Sequence, residues 1–225
     1  MFYYYDGGYL LLIIISTVLG LATQGYINST YRKWSKVPAS SGLTGAQVAR
    51  NMLSEGGATS VGIVPIAGTL TDNYDPRDNN LHLSQDNLSG GSVASVAVAC
   101  HEAGHACQNA SGYAPMRVRT ALVPIVNFAS NSWMVVLIVG MMLGLAGLVQ
   151  LAVILFAFSV VFELVTLPVE IDASRRAVKY LAAHGGGIDE RGARSVLTAA
   201  ALTYVAAALI SVLQLLYLLG RTDER

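Results

Sequence analysis

The residue types that can do chemistry together lie within Cys100-His101-Glu102-Ala103-Gly104-His105-Ala106-Cys107, an H-E-x-x-H run. On an α-helix, residues four apart share a face, so His101 and His105 can aim two imidazoles at one Zn²⁺, with Glu102 beside the metal's open position. The chemistry this implies is hydrolysis, in which the metal acidifies a water and Glu102 takes its proton as general base. The run Ser92 to Ala106 is otherwise small and apolar, and two His and a Glu are costly to bury there without a metal or charge partner. Cys100 and Cys107 share a face with Gly104, about 100° from the imidazoles, and read as small packing residues rather than ligands. Gly104 beside Ala103 leaves room for a second element to approach closely.

The elements that position this run are mostly apolar. The 225 residues are 53% hydrophobic and 12% charged, with mean hydropathy +0.51, whereas a soluble domain carries about 25% charged residues. This composition points to a membrane protein. Formal net charge is zero and no basic patch interleaves with aromatics, so nucleic acid is excluded as a partner. Two cysteines in one helix make no disulfide framework.

Uncharged runs at Gly7–Tyr31, Thr120–Phe162 and Ser195–Gly220 are long enough to cross a hydrocarbon core, and the middle one is long enough to cross it twice with a turn at Gly144-Leu-Ala-Gly147. The expected spans are about 8–26, 130–146, 149–167 and 196–219. Tyr3, Tyr4, Tyr5 and Tyr9 flank the first on one side and Tyr26 and Tyr31 on the other, where amphipathic rings favour the interface. Asp6 is the only charge ahead of that run, which argues against a cleaved signal peptide. Arg32, Lys33 and Lys36 belong in the cytoplasm, which puts segments 32–119 and 168–195 on that side. Gly140-Met-Met-Leu-Gly144 permits close helix packing and leaves a homo-oligomer open.

Between Pro38 and Met116, Thr44 with Gln47 forms a capping box for a helix to about Glu55, stopped by Gly56-Gly57. Ser60–Pro65, Thr69–Asp72 and Asn80–Ser84 read as short strands, one edge of which could hold extended substrate by strand addition. Asp72, Asp75 and Asp78 lack EF-hand spacing and read as turn caps. Ser92 caps the motif helix, which should reach about Asn109.

A catalytic zinc needs a third protein ligand. Glu170, just beyond the third span on the side of the motif helix, is the choice. Asp172 is the runner-up, or an acceptor that orients an imidazole. Glu163, two turns earlier, is an intramembrane carboxylate and so a functional candidate. His184 and Tyr204 are candidates for steadying an oxyanion; their structural readings are a helix-end residue and a packed side chain with a satisfied hydroxyl.

The chain resembles the YugP-like neutral zinc metallopeptidases of bacterial membranes. The resemblance runs through Met1-Phe-Tyr-Tyr-Tyr-Asp6, Ser41–Val48, Leu70–Arg77, the H-E-x-x-H helix with Gly112–Pro115, Leu167–Ala177 and Ala200–Ala208. It also looks, more distantly, like the HtpX and CAAX prenyl protease class, whose third ligand is the Glu of E-x-x-A-D. Glu170 and Ala173 match that pattern and Ser174 stands where the class has Asp, so Asp172 is left to substitute. The resemblance implies peptide-bond hydrolysis.

The expectation is therefore a mainly α membrane protein with about four transmembrane helices and a small cytoplasmic, zincin-like α+β region with a short β-sheet. It is read as one membrane-embedded domain that binds Zn²⁺ through His101, His105 and Glu170, with Glu102 as base. Its substrates would be peptides or membrane proteins at the bilayer, in a bacterial cell membrane. The rival readings are a zinc hydrolase of a non-peptide membrane substrate and a non-catalytic, zinc-stabilised scaffold.

Overall fold

The structure is a computed structural model that describes residues 7–223. Tyr3, Tyr4, Tyr5 and Asp6 lie outside the described residues. In chain order the elements are α1 (Gly7–Trp34), α2 (Gly45–Glu55), β1 (Gly62–Ile66), β2 (Asn73–Asp75), β3 (Asn80–Ser84), α3 (Gln85–Leu88), α4 (Val93–Ala110), α5 (Ala114–Leu143), α6 (Ala146–His184) and α7 (Gly187–Asp223). The fold is that of a mainly α membrane protein: α1, α5, α6 and α7 are each long and apolar enough to cross a bilayer, and a three-stranded sheet accompanies them.

The chain divides into two compact units. One takes the chain up to Thr23, Val118–Leu167 and the chain from Thr203 onward. Its side chains turn large apolar surfaces outward, Leu21, Phe128 and Met142 among them, as lipid-facing helices do. The helices α5 and α6 meet through Gly144, whose φ of 66° lets the chain reverse. Trp133 packs against Phe156, and the hydroxyls of Ser130 and Ser159 pair at 2.8 Å. A Cβ on Gly140 would stand 2.9 Å from Leu148 Cβ, so the first glycine of the G-x-x-x-G pattern seats α6 against α5 within the chain. Glu163 lies in this unit with Oε2 buried and without a hydrogen-bond partner among the described residues.

The other unit, Gln24–Arg117 and Pro168–Leu202, holds the core. The capping box of α2 forms as its sequence implies, with Thr44 Oγ1 accepting from the Gln47 amide and Gln47 Oε1 from the Thr44 amide. Packed against α2, the small-residue helix α4 is buried nearly along its whole length. At the contact a Cβ on Gly56 would collide with Cys107 Sγ. Both cysteines are free and buried, and burial raises both thiols, which leaves them inert packing groups.

The strand order is β1-β3-β2, with β1 parallel to β3 and β2 antiparallel to it. The second strand is Asn73–Asp75 rather than Thr69–Asp72. Leu70, with φ of 56°, turns the chain before it, and Asp72 accepts from the Ser84 amide, the Ser84 hydroxyl and Asn87 Nδ2. Asp72 therefore anchors the turn, and pairing begins one residue later. Asp75 accepts from Arg77, which holds its carboxyl down at about 2, and Asp78 caps the Asn80 amide.

Candidate metal centre

Ser92 Oγ caps α4 by accepting from the Ser95 amide, and the helix then presents His101 and His105 one turn apart, with Glu102 next to the first. The third contributor, Glu170, comes from α6, which runs unbroken from its apolar stretch through Pro168 to His184. Gly104 is what lets α6 come close, since a Cβ there would stand 2.8 Å from the Ala173 carbonyl oxygen. Ala173 lies three residues after Glu170, on the same face of α6.

Glu170 Oε2 stands 3.2 Å from His101 Nε2 and 3.5 Å from His105 Nε2. Donor atoms of the three residues all lie within 4.8 Å of one another. Ligands about 2.1 Å from a tetrahedral zinc stand about 3.4 Å apart, so this spacing fits a metal between them. The His101 side chain is 12% exposed, which leaves the cluster open on one side.

The far nitrogens of both imidazoles are engaged. Gln108 Nε2 donates to the Val169 carbonyl and to Asp172 Oδ2, which fixes its amide so that Oε1 faces His105 Nδ1 at 3.0 Å. That oxygen can only accept, so His105 Nδ1 carries the hydrogen and Nε2 keeps its lone pair for a metal. Asp172 in turn accepts from Arg176 Nε at 2.6 Å. Ser174 Oγ stands 3.2 Å from His101 Nδ1.

Glu102 is buried, and burial pushes its carboxyl up to about 8. Its neighbours pull both ways: His101 lowers the value, Glu170 and Asp72 raise it, and the Tyr74 backbone amide lowers it by donating to the carboxylate. That amide belongs to β2, an edge strand, and so ties the sheet to the motif helix.

Of the other sequence candidates, Asp172 stands outside the group of three that can share an ion. His184 closes α6, with Nδ1 on the Tyr180 carbonyl and Nε2 3.2 Å from Glu55 Oε1. Tyr204 belongs to the other unit and is 41% exposed. Sequence reasoning passed over Gln108 and Arg176. The available signal for Gln108 was its place three residues after His105, which puts an amide on the side of the ring away from the metal.

A family model described as "Putative neutral zinc metallopeptidase" matches residues 9–222. The chain belongs to that family. The "Putative membrane protease YugP" of Bacillus subtilis (strain 168) is 43% identical to it over 223 residues, covering 96% of this chain and 99% of the relative. No solved structure matches the chain. With its four long apolar helices, this member of the zinc metallopeptidase family is a membrane protein, and its His101-His105-Glu170 group can hold the metal of the family's name.

Proposed function

We propose that this protein is a multi-pass zinc metalloendopeptidase whose His101, His105 and Glu170 hold the metal and whose Glu102 is the general base. The single observation that supports this reading most is the spacing of Glu170 Oε2 from the two Nε2 atoms, 3.2 and 3.5 Å. When bound, zinc supplies Lewis acidity toward the scissile carbonyl and lowers the pKa of the attacking water.

The residues of the chain do the rest. Glu102 takes the water's proton and delivers it to the leaving amine, and the Tyr74 amide fixes the carboxylate's orientation. Burial lifts Glu102 well above an ordinary carboxyl, and a cation at the three ligands would bring it down into the range of a base at neutral pH. Extended substrate would lie along the free edge of β2. Gln108 and Ser174 hold the two rings in place.

The chain is read as one membrane-embedded peptidase domain with spans at about 8–26, 130–146, 149–167 and 196–219. The basic cluster Arg32, Lys33 and Lys36 supports a cytoplasmic site that acts on peptides or membrane proteins near the bilayer.

The test is zinc content together with hydrolysis of a peptide library by purified full-length protein. Wild type should carry one zinc, and His101→Ala and Glu170→Ala none. Glu102→Gln should keep the zinc and lose about 10²–10⁴-fold in activity. Cleavage of lipids but not peptides would replace this reading with a different zinc hydrolase. Hydrolysis unchanged in Glu102→Gln would end the assignment of the base.

A further inference from the structure

Beside the metal centre, in the same unit, α6 and α7 enclose a groove of about 420 Å³ that the proposed hydrolysis does not use. Arg175 and Lys179 line it from α6, and Arg194 and Thr198 from α7. Arg194 is paired with Glu190 at 2.9 Å, but no partner is recorded among the described residues for Arg175 or Lys179. The neighbouring Arg176, by contrast, is spent on Asp172. Arg175 and Lys179 are four apart on one helix face, so the two like charges repel, and the carboxylate that also lines the groove, Glu190, is engaged by Arg194.

The groove is graded along its length. Ile171, Leu197 and Ala201 line the end from which both helices continue into their uncharged stretches. Arg175 and Lys179 follow Ile171 at one and two helical turns, about 6 and 12 Å along the axis. An apolar end continuous with bilayer-length helices, then unpaired cations with a hydroxyl opposite, is complementary to an amphiphile with an anionic head. We propose that this groove is a specific site for an anionic phospholipid. Its phosphate lies against Arg175 and Lys179, a polar headgroup such as glycerol reaches Thr198, and an acyl chain runs past Ile171 and Leu197. Ser174 lines the same groove while its hydroxyl meets His101 Nδ1, which places the lipid one side chain from the metal centre.

Lipid binding is read here without reference to activity, so its outcome leaves the peptidase reading untouched. Full-length protein in detergent is titrated with phosphatidylglycerol and with phosphatidylcholine of the same chains, and bound lipid is counted by native mass spectrometry. Wild type should prefer phosphatidylglycerol by about tenfold or more, as expected for two cations at an anionic headgroup. Arg175→Gln with Lys179→Gln should abolish the preference, and Arg175→Lys with Lys179→Arg, which keeps both charges, should retain it. Arg32→Gln with Lys33→Gln, a juxtamembrane pair outside the groove, should also retain it. Equal binding of the two lipids overturns the proposal, as does equal loss in the Arg32/Lys33 variant. Displacement of phosphatidylglycerol by equimolar inorganic phosphate would identify a free-anion site instead and overturn it as well.

Discussion

In one unit of the molecule a Cβ on Gly104 would stand 2.8 Å from the Ala173 carbonyl; in the other, a Cβ on Gly140 would stand 2.9 Å from Leu148 Cβ and 3.0 Å from the Val149 amide. The two close approaches have different consequences. Gly140 and Leu148 are joined by a short turn at Gly144, so chain connectivity already holds α5 and α6 together and the glycine only sets their spacing. Gly104 and Ala173 have no such link, and the spacing of their helices decides whether Glu170 reaches the imidazoles. A few tenths of an ångström is a packing adjustment in a lipid-facing hairpin. At a group that can hold a metal it would be the difference between three ligands and two, because metal–ligand distances tolerate only about 0.2 Å.

Substitutions at the two glycines test that contrast most severely. Gly104→Val should abolish zinc binding in protein that still inserts, and Gly104→Ala should lower activity by about 10²-fold, as a displacement approaching 1 Å does at a catalytic site. Zinc analysis and peptide turnover read both. Next in size, Gln108→Ala removes the acceptor on His105 Nδ1 and should weaken zinc about 10–100-fold in chelator competition. Ser174→Ala loses one neutral hydrogen bond to His101 and should weaken zinc only about fivefold in the same assay. Gly140→Ala should leave zinc stoichiometry and affinity unchanged while lowering thermal stability by about 1–3 kcal/mol from overpacking. Loss of activity in Gly140→Ala to the degree expected of Gly104→Ala, about 10²-fold, would dissolve the distinction between the two contacts.

The two units also differ in how far they could be read in advance. The apolar helices were plain from Gly7–Tyr31, Thr120–Phe162 and Ser195–Gly220, because a bilayer demands a long uncharged run and few other structures produce one. The reversal at Gly144 followed from a run too long for one crossing. The core unit yielded its α2 cap and the start of α4 at Ser92 equally well, since capping is written in adjacent residues. It did not yield β2, which depends on Asp72 reaching across to Ser84 and Asn87. Nor did it yield the Gln108–Asp172–Arg176 chain behind His105, whose link from α4 to α6 joins residues 61 and 64 apart in sequence.

What the sequence determined by itself is therefore local: which runs are helical and apolar, where α4 begins, and that His101, Glu102 and His105 share a turn. These follow from the 3.6-residue period and the chemistry of neighbouring side chains. Only the tertiary structure decided that Glu170 Oε2 stands between the imidazoles, that Gln108 fixes the tautomer of His105, and that Gly140 is spent inside its own chain. Each depends on how two helices meet: Glu170 comes to the imidazoles from α6, the Gln108 amide is oriented by the Val169 carbonyl and Asp172 on α6, and Gly140 packs on Leu148 across the turn, and no local period encodes the register at which two helices meet.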